Sequence, residues 1–380
     1  MTDTILANAK IVLADEIVTG SLKVSGNAIA SVEAGTTALP GAEDLDGDYL
    51  IPGLVELHTD HLEGHFAPRP GVTWSPIAAV QAHDAQIAAS GITTVLDALR
   101  VGTDADTGKL GRQMRTLADA IVTANTAGRL RADHYLHLRC EIASPDVVSE
   151  AEAFLDSPSL KLVSVMDHTP GQRQFVSLDK FREYYQGKSR MSDAELEAFI
   201  AERVAMHHAH AGPNRTALFE RCRQSEIVLA SHDDATEDHV AEAVSEGVVL
   251  SEFPTTIPAA RAARRAGLAV LMGAPNVVRG GSHSGNVSAI DLAERGLLDV
   301  LSSDYVPFSL LHAAFLLPQR VESISLPEAL RLVTANPARA VGLADRGEIA
   351  EGLSADLVRV RFEEEVPVVR AVWRNGRRVA

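Results

Sequence analysis

The sequence predicts an α/β fold, namely a (β/α)8 TIM barrel with a small β-sandwich module formed by both chain termini. Three observations predict it. The middle of the 380-residue chain alternates apolar strand-like runs with helix-like stretches, both ends carry short hairpin-like runs, and polar residues collect where several runs end. An α/β barrel often takes about 250 residues as one unit. One barrel and one smaller module therefore fit the length.

The predicted small module combines the two ends of the chain. Short apolar runs separated by turn-forming residues are typical of antiparallel hairpins, and both ends show them. The runs are 5–12, 17–24 and 29–32 at one end and 355–360 and 366–373 at the other. Neither end is long enough to bury a stable core alone. We therefore expect residues 1–52 and 345–380 to pair into one module, with the barrel at 53–344 inserted between them.

Eight apolar runs predict the barrel strands. They are 54–60, 93–99, 134–141, 162–168, 227–233, 248–253, 268–274 and 298–304. Nearly continuous apolar runs with helices between them are typical of a parallel sheet buried on both faces. Thr236 is a predicted helix cap, and Pro327 lies near the first turn of another predicted helix. The connection 169–226 is too long for one helix and its loops, which favours a lid or binding element.

Composition narrows the class of protein. Lys and Arg number 35 against 51 Asp and Glu, which gives a net charge of −16 and disfavours nucleic-acid binding. No window approaches the roughly 18 apolar residues of a membrane span. Cys140 and Cys222 cannot form a disulfide framework. We expect a cytoplasmic protein without nucleic-acid or membrane partners.

Five of the eight runs end in side chains of the types that bind metals. The carboxyl ends of all strands in a barrel meet at one mouth, so residues far apart in sequence converge there. Imidazole and carboxylate together suit Zn, Mn, Fe or Ni better than Mg or Ca. The candidate ligands are His58, Asp60, Glu141, His168, His232 and Asp304. Each could instead be structural, as Glu141 could pair with an arginine and Asp304 could cap a helix, but five such ends together favour a metal centre.

The run I-P-G-L-V-E-L-H at residues 51–58, the later strand-end histidines and the late Asp304 resemble the amidohydrolase superfamily of metal-dependent hydrolases. That resemblance implies a (β/α)8 barrel with a β module made from both termini, and a divalent-metal cofactor, Zn or Mn. The superfamily has His two residues after its first-strand His, where this chain has Asp60. The resemblance therefore leaves open whether one or two ions bind. Asp304 is placed to act as the catalytic base that accepts a proton from water.

Longer strings narrow the resemblance to one branch. They include D-H-T-P-G-Q-R-Q-F at 167–175, S-H-D-D-A-T at 231–236 and M-G-A-P-N-V-V-R-G-G-S-H-S-G-N at 272–286. They are similar to diphosphatases of the carbon–phosphorus lyase pathway, which convert α-D-ribose 1-methylphosphonate 5-triphosphate to the 5-phosphate and diphosphate. The implied partner is a phosphorylated ribose, and a homodimer is left open. The alternatives are hydrolysis of an amide or cyclic amide, and a non-catalytic subunit of a phosphonate-utilisation complex.

A polyanionic substrate requires a locally basic mouth in this acidic chain. Residues 279–285 are a candidate phosphate loop, because glycines allow close backbone approach and N–H, hydroxyl and guanidinium groups bond phosphate oxygens. The predicted substrate contacts are Arg69, Arg173, Arg279, Ser282, His283 and Asn286. The competing interpretation of residues 279–285 is an ordinary glycine loop. The competing interpretation of Arg173 is an ion pair with a surface carboxylate.

The remaining histidines and acidic residues that stand out are interpreted mostly as structural. His207 and its neighbours His208 and His210 are interpreted as a solvated helix face. His61 and His65 could support the metal ligands or touch substrate, and Glu252 could be a further ligand or a salt-bridge partner. His83 and Asp84, early in a predicted helix, are assigned no site.

Overall fold

A computed structural model describes residues 3–103, 113–173, 181–182, 192–282 and 285–380. It contains two eight-stranded sheets. Contact clustering divides the chain into two compact units, described separately below. The first unit is Met1–Asp97, Asp119–Tyr135 and Met272–Ala380, and the second is Ala98–Ala118 and Leu136–Leu271.

One sheet is built from the two ends of the chain. Its strands are β1 (Thr4–Val12), β2 (Ile17–Ser25), β3 (Ala28–Ala34), β4 (Glu43–Asp44), β5 (Tyr49–Pro52), β14 (Leu357–Arg361), β15 (Val368–Arg374) and β16 (Arg377–Arg378). Their order is β16-β15-β14-β5-β1-β2-β3, with β4 beside β1. Strand β14 pairs antiparallel with β5, so the two ends share one ladder. The prediction that both termini form one β structure is confirmed, while the boundaries 1–52, 53–344 and 345–380 stay a prediction.

The terminal sheet has an apolar core of its own. Side chains from both ends of the chain meet there, among them Leu22, Ile29, Leu50, Leu357 and Trp373. Alternate residues of β2 are buried, as expected for a sheet with one covered face. The short runs at the two ends therefore gain a stable core by packing together.

The second sheet carries the strands predicted for the barrel. They are β6 (Leu54–Thr59), β7 (Ile92–Val101), β8 (Asp133–Glu141), β9 (Leu160–Met166), β10 (Val228–His232), β11 (Leu250–Glu252), β12 (Ala269–Gly273) and β13 (Val300–Ser302). They follow one another in chain order. Strand β6 is buried along its whole length, as parallel strands with both faces covered are. In the first unit Thr59, at the end of β6, bridges Asp304, just after β13. The TIM-like fold class and all eight predicted strands are confirmed.

Helices separate the strands. Those of the first unit are α1 (Leu62–Phe66), α2 (Pro76–Ala89), α3 (Met114–Thr126, which crosses into the second unit), α8 (Ala274–Arg279), α9 (Ala289–Glu294), α10 (Ser309–Arg320), α11 (Leu326–Arg331) and α12 (Ala335–Ala340). Those of the second unit are α4 (Val147–Leu155), α5 (Asp193–Gln224), α6 (Glu237–Ser245) and α7 (Ile257–Arg265). Thr236 caps α6 as predicted, since its side chain accepts a hydrogen bond from the backbone of His239. Pro327 lies in the first turn of α11, which begins with a capping box at Ser325.

The long connection before β10 differs from the predicted loop. Most of its described part is the 32-residue helix α5, which begins with a capping box between Ser192 and Glu195 and continues through Pro213. Its apolar residues Leu196 and Ile200 pack with Phe181. Strand and helix periodicity did not reveal one helix of this length, because its polar faces dominate the sequence. In the described part of the chain, no helix has the length and apolar character needed to cross a membrane.

Candidate metal centre and active site

The strand ends of β6 and β13 bring three predicted residues together in the first unit. The backbone N–H of Asp304 donates to the carbonyl of His58 (3.0 Å), and the N–H of Asp60 donates to the carbonyl of Asp304 (3.3 Å). The Thr59 hydroxyl also donates to that carbonyl (2.8 Å). Asp304 has a positive φ of 55°, a backbone conformation that costs about 1–3 kcal/mol in a residue other than glycine. His58, Asp60 and Asp304 therefore share one rigid corner.

Glu56 fixes this corner from inside the sheet. One carboxylate oxygen accepts the N–H of His58 (2.6 Å), and the other accepts the N–H of Ser303 (2.6 Å). Burial raises the pKa of Glu56 to about 8 against these hydrogen bonds. The sequence analysis missed Glu56 because an acidic residue inside an apolar strand reveals nothing about its partners. The Glu56 carboxylate therefore links β6 to Ser303, the residue that follows β13.

The second unit pairs strand-end histidines with carboxylates. His168 donates from Nδ1 to Glu141 (2.6 Å), which also receives the backbone N–H of His168 (3.2 Å). His232 Nδ1 lies 3.0 Å from Asp233, and His168 Nε2 lies 3.9 Å from the same Asp233 oxygen. His168, His232 and Asp233 can offer three ligand atoms within 4.8 Å of one another. The structure thus brings Glu141, His168 and His232 together as predicted and adds Asp233.

The pKa shifts in this cluster follow from the pairing of His232 with Asp233. Burial alone would lower the pKa of His232, but the Asp233 carboxylate outweighs it and raises that pKa. Burial would raise the pKa of Asp233, and His232 instead holds it below its ordinary value. Asp233 also has a positive φ of 57°. The two side chains therefore hold each other in a fixed orientation, and His232 must release a proton when it binds an ion.

His207 contradicts its interpretation as part of a solvated face. It projects from α5 and places Nδ1 2.8 Å from Asp167, which is nearly buried. The Asp167 carboxylate beside it raises the pKa of His207. Helical periodicity placed His207 on a polar face but could not show that strand β9 ends opposite it. The residue belongs with the strand-end cluster of the second unit.

Glu252 is buried in the second unit, at the end of β11, where the sequence left its role open. The Ser164 hydroxyl donates to it, and His137 bonds the same hydroxyl. His137 also lies 3.9 Å from Glu252. This carboxylate is therefore part of a buried serine and histidine network.

The predicted substrate contacts have different surroundings. Arg173 is buried and forms ion pairs with Asp234 and with Glu242 (2.8 Å), so its guanidinium is held by the protein. Arg69 and Arg279 are exposed, and Ser282 and Asn286 are half-buried. His283 lies outside the described residues. Arg279 is the last residue of α8, which Gly280 ends with a left-handed φ of 80°.

A further histidine group lies in the first unit around His83, which the sequence assigned to no site, and it includes His61 and His65, whose roles the sequence left open. The fully buried Asp97 on β7 bonds His83 of α2 (2.8 Å) and His134 of β8 (2.7 Å). The rings of His61 and His65 approach His83. The sequence missed this group because His83 reads as a helix residue and Asp97 as one polar position in an apolar strand.

Comparison with known proteins shows the family of this chain. A family model described as Amidohydrolase family matches residues 92–380. The chain is 48% identical over 99% of its length to the whole alpha-D-ribose 1-methylphosphonate 5-triphosphate diphosphatase of Escherichia coli (strain K12). The chain belongs to the amidohydrolase family.

A more distant relative and two solved structures are also similar to this chain. An imidazolonepropionase of Streptomyces griseus subsp. griseus is 25% identical, with 88% of this chain and 85% of the relative covered. The solved 5-methylcytosine deaminase of Klebsiella pneumoniae has a TM-score of 0.67 at 15% identity, covering 99% of this chain and 98% of that one. The N-acetyl-D-glucosamine-6-phosphate deacetylase of Mycobacterium smegmatis has a TM-score of 0.64 at 18% identity, covering 99% of this chain and 100% of that one. These structures support the fold.

The donor set of this amidohydrolase fits a divalent ion. His168, His232 and Asp233 are buried or nearly so, and their nitrogen and oxygen atoms lie close enough to share one ion. Imidazole with carboxylate suits Zn and Mn, and buried carboxylates need a cation or hydrogen-bond donors around them.

Proposed function

We propose that this protein hydrolyses α-D-ribose 1-methylphosphonate 5-triphosphate to α-D-ribose 1-methylphosphonate 5-phosphate and diphosphate, as a step of phosphonate catabolism. The observation that carries the proposal is the 48% identity to the Escherichia coli diphosphatase across 99% of this chain and all of that relative. The strand-end carboxylates and histidines of both units supply the residue types that such a hydrolase needs.

The proposed metal ligands are His58, Asp60 and Asp304 from the first unit and Glu141, His168 and His232 from the second, with Zn or Mn as one or two ions. Each set follows the carboxyl end of a parallel strand, where α/β barrels place their active residues. When bound, the ion supplies Lewis acidity, which lowers the pKa of water and offsets charge that develops on phosphate. Glu141 already orients His168 through two hydrogen bonds.

Asp304 is the proposed catalytic base. Its backbone is fixed on both sides by hydrogen bonds to His58 and Asp60, so its carboxylate is held at the strand end. It accepts the proton of the water that attacks the α-phosphorus, the bond from that phosphorus to the bridging oxygen breaks, and diphosphate leaves. General-base catalysis of this kind contributes typically about 100- to 10,000-fold.

The proposed phosphate contacts are Arg69, Arg279, Ser282, His283 and Asn286. Arg279 is exposed at the end of a helix, where its guanidinium can bind phosphate oxygens in a bidentate fork. Arg173 remains a predicted contact, although binding substrate would require it to share its guanidinium with Asp234 and Glu242. The cytoplasmic setting, the absence of nucleic-acid and membrane partners, and the open question of a homodimer also stay predictions.

Phosphorus NMR of the purified protein with the ribose triphosphate and added Zn or Mn tests the function. The expected products are diphosphate and the 5-phosphate in equal amounts. A catalytic-base variant, Asp304→Asn, is the matched control for contaminating phosphatases. Release of three orthophosphates would contradict the proposal. So would turnover of amides or cyclic amides without turnover of the triphosphate, while no turnover with any metal would favour a non-catalytic subunit.

A further inference from the structure

Three histidines converge in the first unit, beyond the strand-end residues proposed for catalysis. His61 precedes α1, His65 lies in α1 and His83 lies in α2. Their ring centroids are 4.9 Å apart for His61 and His65, 5.7 Å for His61 and His83, and 6.1 Å for His65 and His83. The three side chains can offer ligand nitrogens within 4.8 Å of one another.

Each of these rings holds a buried nitrogen without a hydrogen-bond partner among the described residues. The atoms are Nδ1 of His61, Nε2 of His65 and Nδ1 of His83, and the His83 side chain is fully buried. A buried polar atom left unsatisfied keeps the cost of its lost hydration and so destabilises the fold. Three such atoms in one small group indicate a ligand that satisfies all of them.

Hydrogen bonding to Asp97 determines which nitrogen of His83 can bind a ligand. Its Nε2 lies 2.8 Å from Asp97, whose other oxygen lies 2.7 Å from Nδ1 of His134. A carboxylate accepts hydrogen bonds, so Nε2 of His83 donates to Asp97. Nδ1 of His83, which has no partner among the described residues, is then the nitrogen available to a ligand.

Asp97 supplies the support that metal-binding histidines usually have. A ligating His commonly donates its second ring N–H to a carboxylate, which fixes the ring and raises its basicity. Asp97 does this for His83 and is itself bonded to His134, which faces Asp84 at 3.4 Å. Asp84 in turn accepts two backbone N–H groups, from Arg131 (2.7 Å) and Ala132 (3.0 Å). The carboxylate behind His83 is thus rigidly placed.

We infer that His61, His65 and His83 bind a divalent transition-metal ion such as Zn²⁺, in addition to the ion or ions of the proposed active centre. Three imidazoles suit Zn²⁺ in a tetrahedral site, with Zn–N distances of about 2.0–2.1 Å and the fourth position left to water or an anion. Separations of up to 4.8 Å require the rings to close by roughly 1 Å around the ion. The ion joins α1 to α2 and so fixes the segment that follows Asp60 and leads to Arg69. This inference goes beyond the proposed function and does not depend on it.

Metal content per chain is the first test. The holoprotein, purified without chelators and then dialysed against Zn²⁺, is compared with the double variant His61→Gln/His65→Gln and with His312→Gln. His312 is a half-buried histidine on α10, outside the group, and is the matched control. The double variant should lose one Zn²⁺ per chain while His312→Gln loses none. Equal zinc content in all three proteins would overturn the inference.

Two further measurements keep the test decisive if the double variant does not fold. Anomalous diffraction at the zinc edge from crystals of the unaltered holoprotein should show a peak among the three rings, and its absence would overturn the inference. Asp97→Asn should weaken Zn²⁺ binding to this site by about 10- to 100-fold in a competition titration. His58→Ala should lose the active-centre metal and keep this peak, so failure of the proposed active centre can be told apart from failure of the second site.

Discussion

The histidines of the two units differ in what their nitrogens face. In the second unit His168, His232 and His207 each lie beside a carboxylate, from Glu141, Asp233 and Asp167 respectively. In the first unit, within the group of His61, His65 and His83, it is His83 that bonds a carboxylate, that of Asp97, which also bonds His134. The same residue type is therefore placed in two electrostatic environments within one chain.

The pKa directions follow this difference. Carboxylate partners orient the rings of His207 and His232 and raise their pKa, so His232 must release a proton when it binds an ion. Burial among other histidines lowers the pKa of His61 and His65, which favours neutral rings with free lone pairs. A count of histidines in a sequence cannot separate rings paired with carboxylates from rings buried among other histidines. The partner of each ring nitrogen in the structure does separate them.

Replacing a paired strand-end histidine should have the largest effect on turnover. His232→Ala removes a proposed ligand and leaves the Asp233 carboxylate buried without its imidazole, so metal content and turnover should fall together. Loss of about 4 kcal/mol of transition-state stabilisation corresponds to roughly a 1,000-fold lower rate. Metal analysis and steady-state kinetics, with His312→Gln as control, check this. Full metal and full rate in His232→Ala would contradict the assigned ligand.

Removing only the basicity of the Asp304 carboxylate should have the next largest effect on turnover. Asp304→Asn keeps the size and most hydrogen bonds of the side chain, so metal should be retained at least in part while the chemical step slows by roughly 100-fold or more. Pre-steady-state turnover at saturating metal measures that step. Asp291→Asn, on α9, is the control. A rate within a few-fold of the parent would assign proton acceptance to another group, with His232 or Glu141 tested first.

Arg279→Ala separates substrate recognition from both histidine groups. A guanidinium matches phosphate oxygens but does not ligate metal, so metal content should stay unchanged. Triphosphate binding should weaken by about 1.5–3 kcal/mol, the range for a charged hydrogen bond. Titration calorimetry with a non-hydrolysable analogue measures this, with the exposed Arg261→Ala as control. Lost metal or unchanged affinity would refute the role.

Asp356 is a buried carboxylate that is not paired with a histidine in the described part of the chain. Replacing it should have the smallest effect on turnover and should instead change the pH dependence of stability. Burial raises the pKa of Asp356 to about 6, although it accepts the N–H of Asn375 (2.7 Å) and lies 3.8 Å from Arg346. The folded state therefore binds more protons than the unfolded state between about pH 4 and 6. Stability from this group is fully present below about pH 4 and is lost as pH rises through about 6.

Asp356→Asn should remove that pH dependence, because the amide cannot ionise and still accepts the Asn375 hydrogen bond. Its free energy of unfolding should exceed that of the parent by about 3 kcal/mol at about pH 8 and approach it near pH 4. Urea denaturation at several pH values measures the difference. The exposed Asp238→Asn should show no such change, and a constant offset at all pH values would show that ionisation of Asp356 is not its cause.

The sequence predicted what depends on local pattern. Eight apolar runs gave eight strands, Thr236 gave a helix cap, and the ends of those runs located Glu141, His168 and His232 correctly beside one another. It did not predict pairings between distant elements. Arg173 meets Asp234 across 61 residues and His207 meets Asp167 from a separate helix, and no periodicity encodes such contacts.

The shared ladder of β5 and β14 has a consequence for synthesis of the protein. Pro52 pairs with Leu357, about 300 residues later in the chain. At typical translation rates the ribosome needs about 15 to 60 s to make the intervening segment. During that time β5 lacks β14 on one of its two edges, and the core shared with β1–β3 lacks five of its thirteen buried residues. The nascent N-terminal strands therefore present an open sheet edge, the kind of surface that chaperones protect during synthesis.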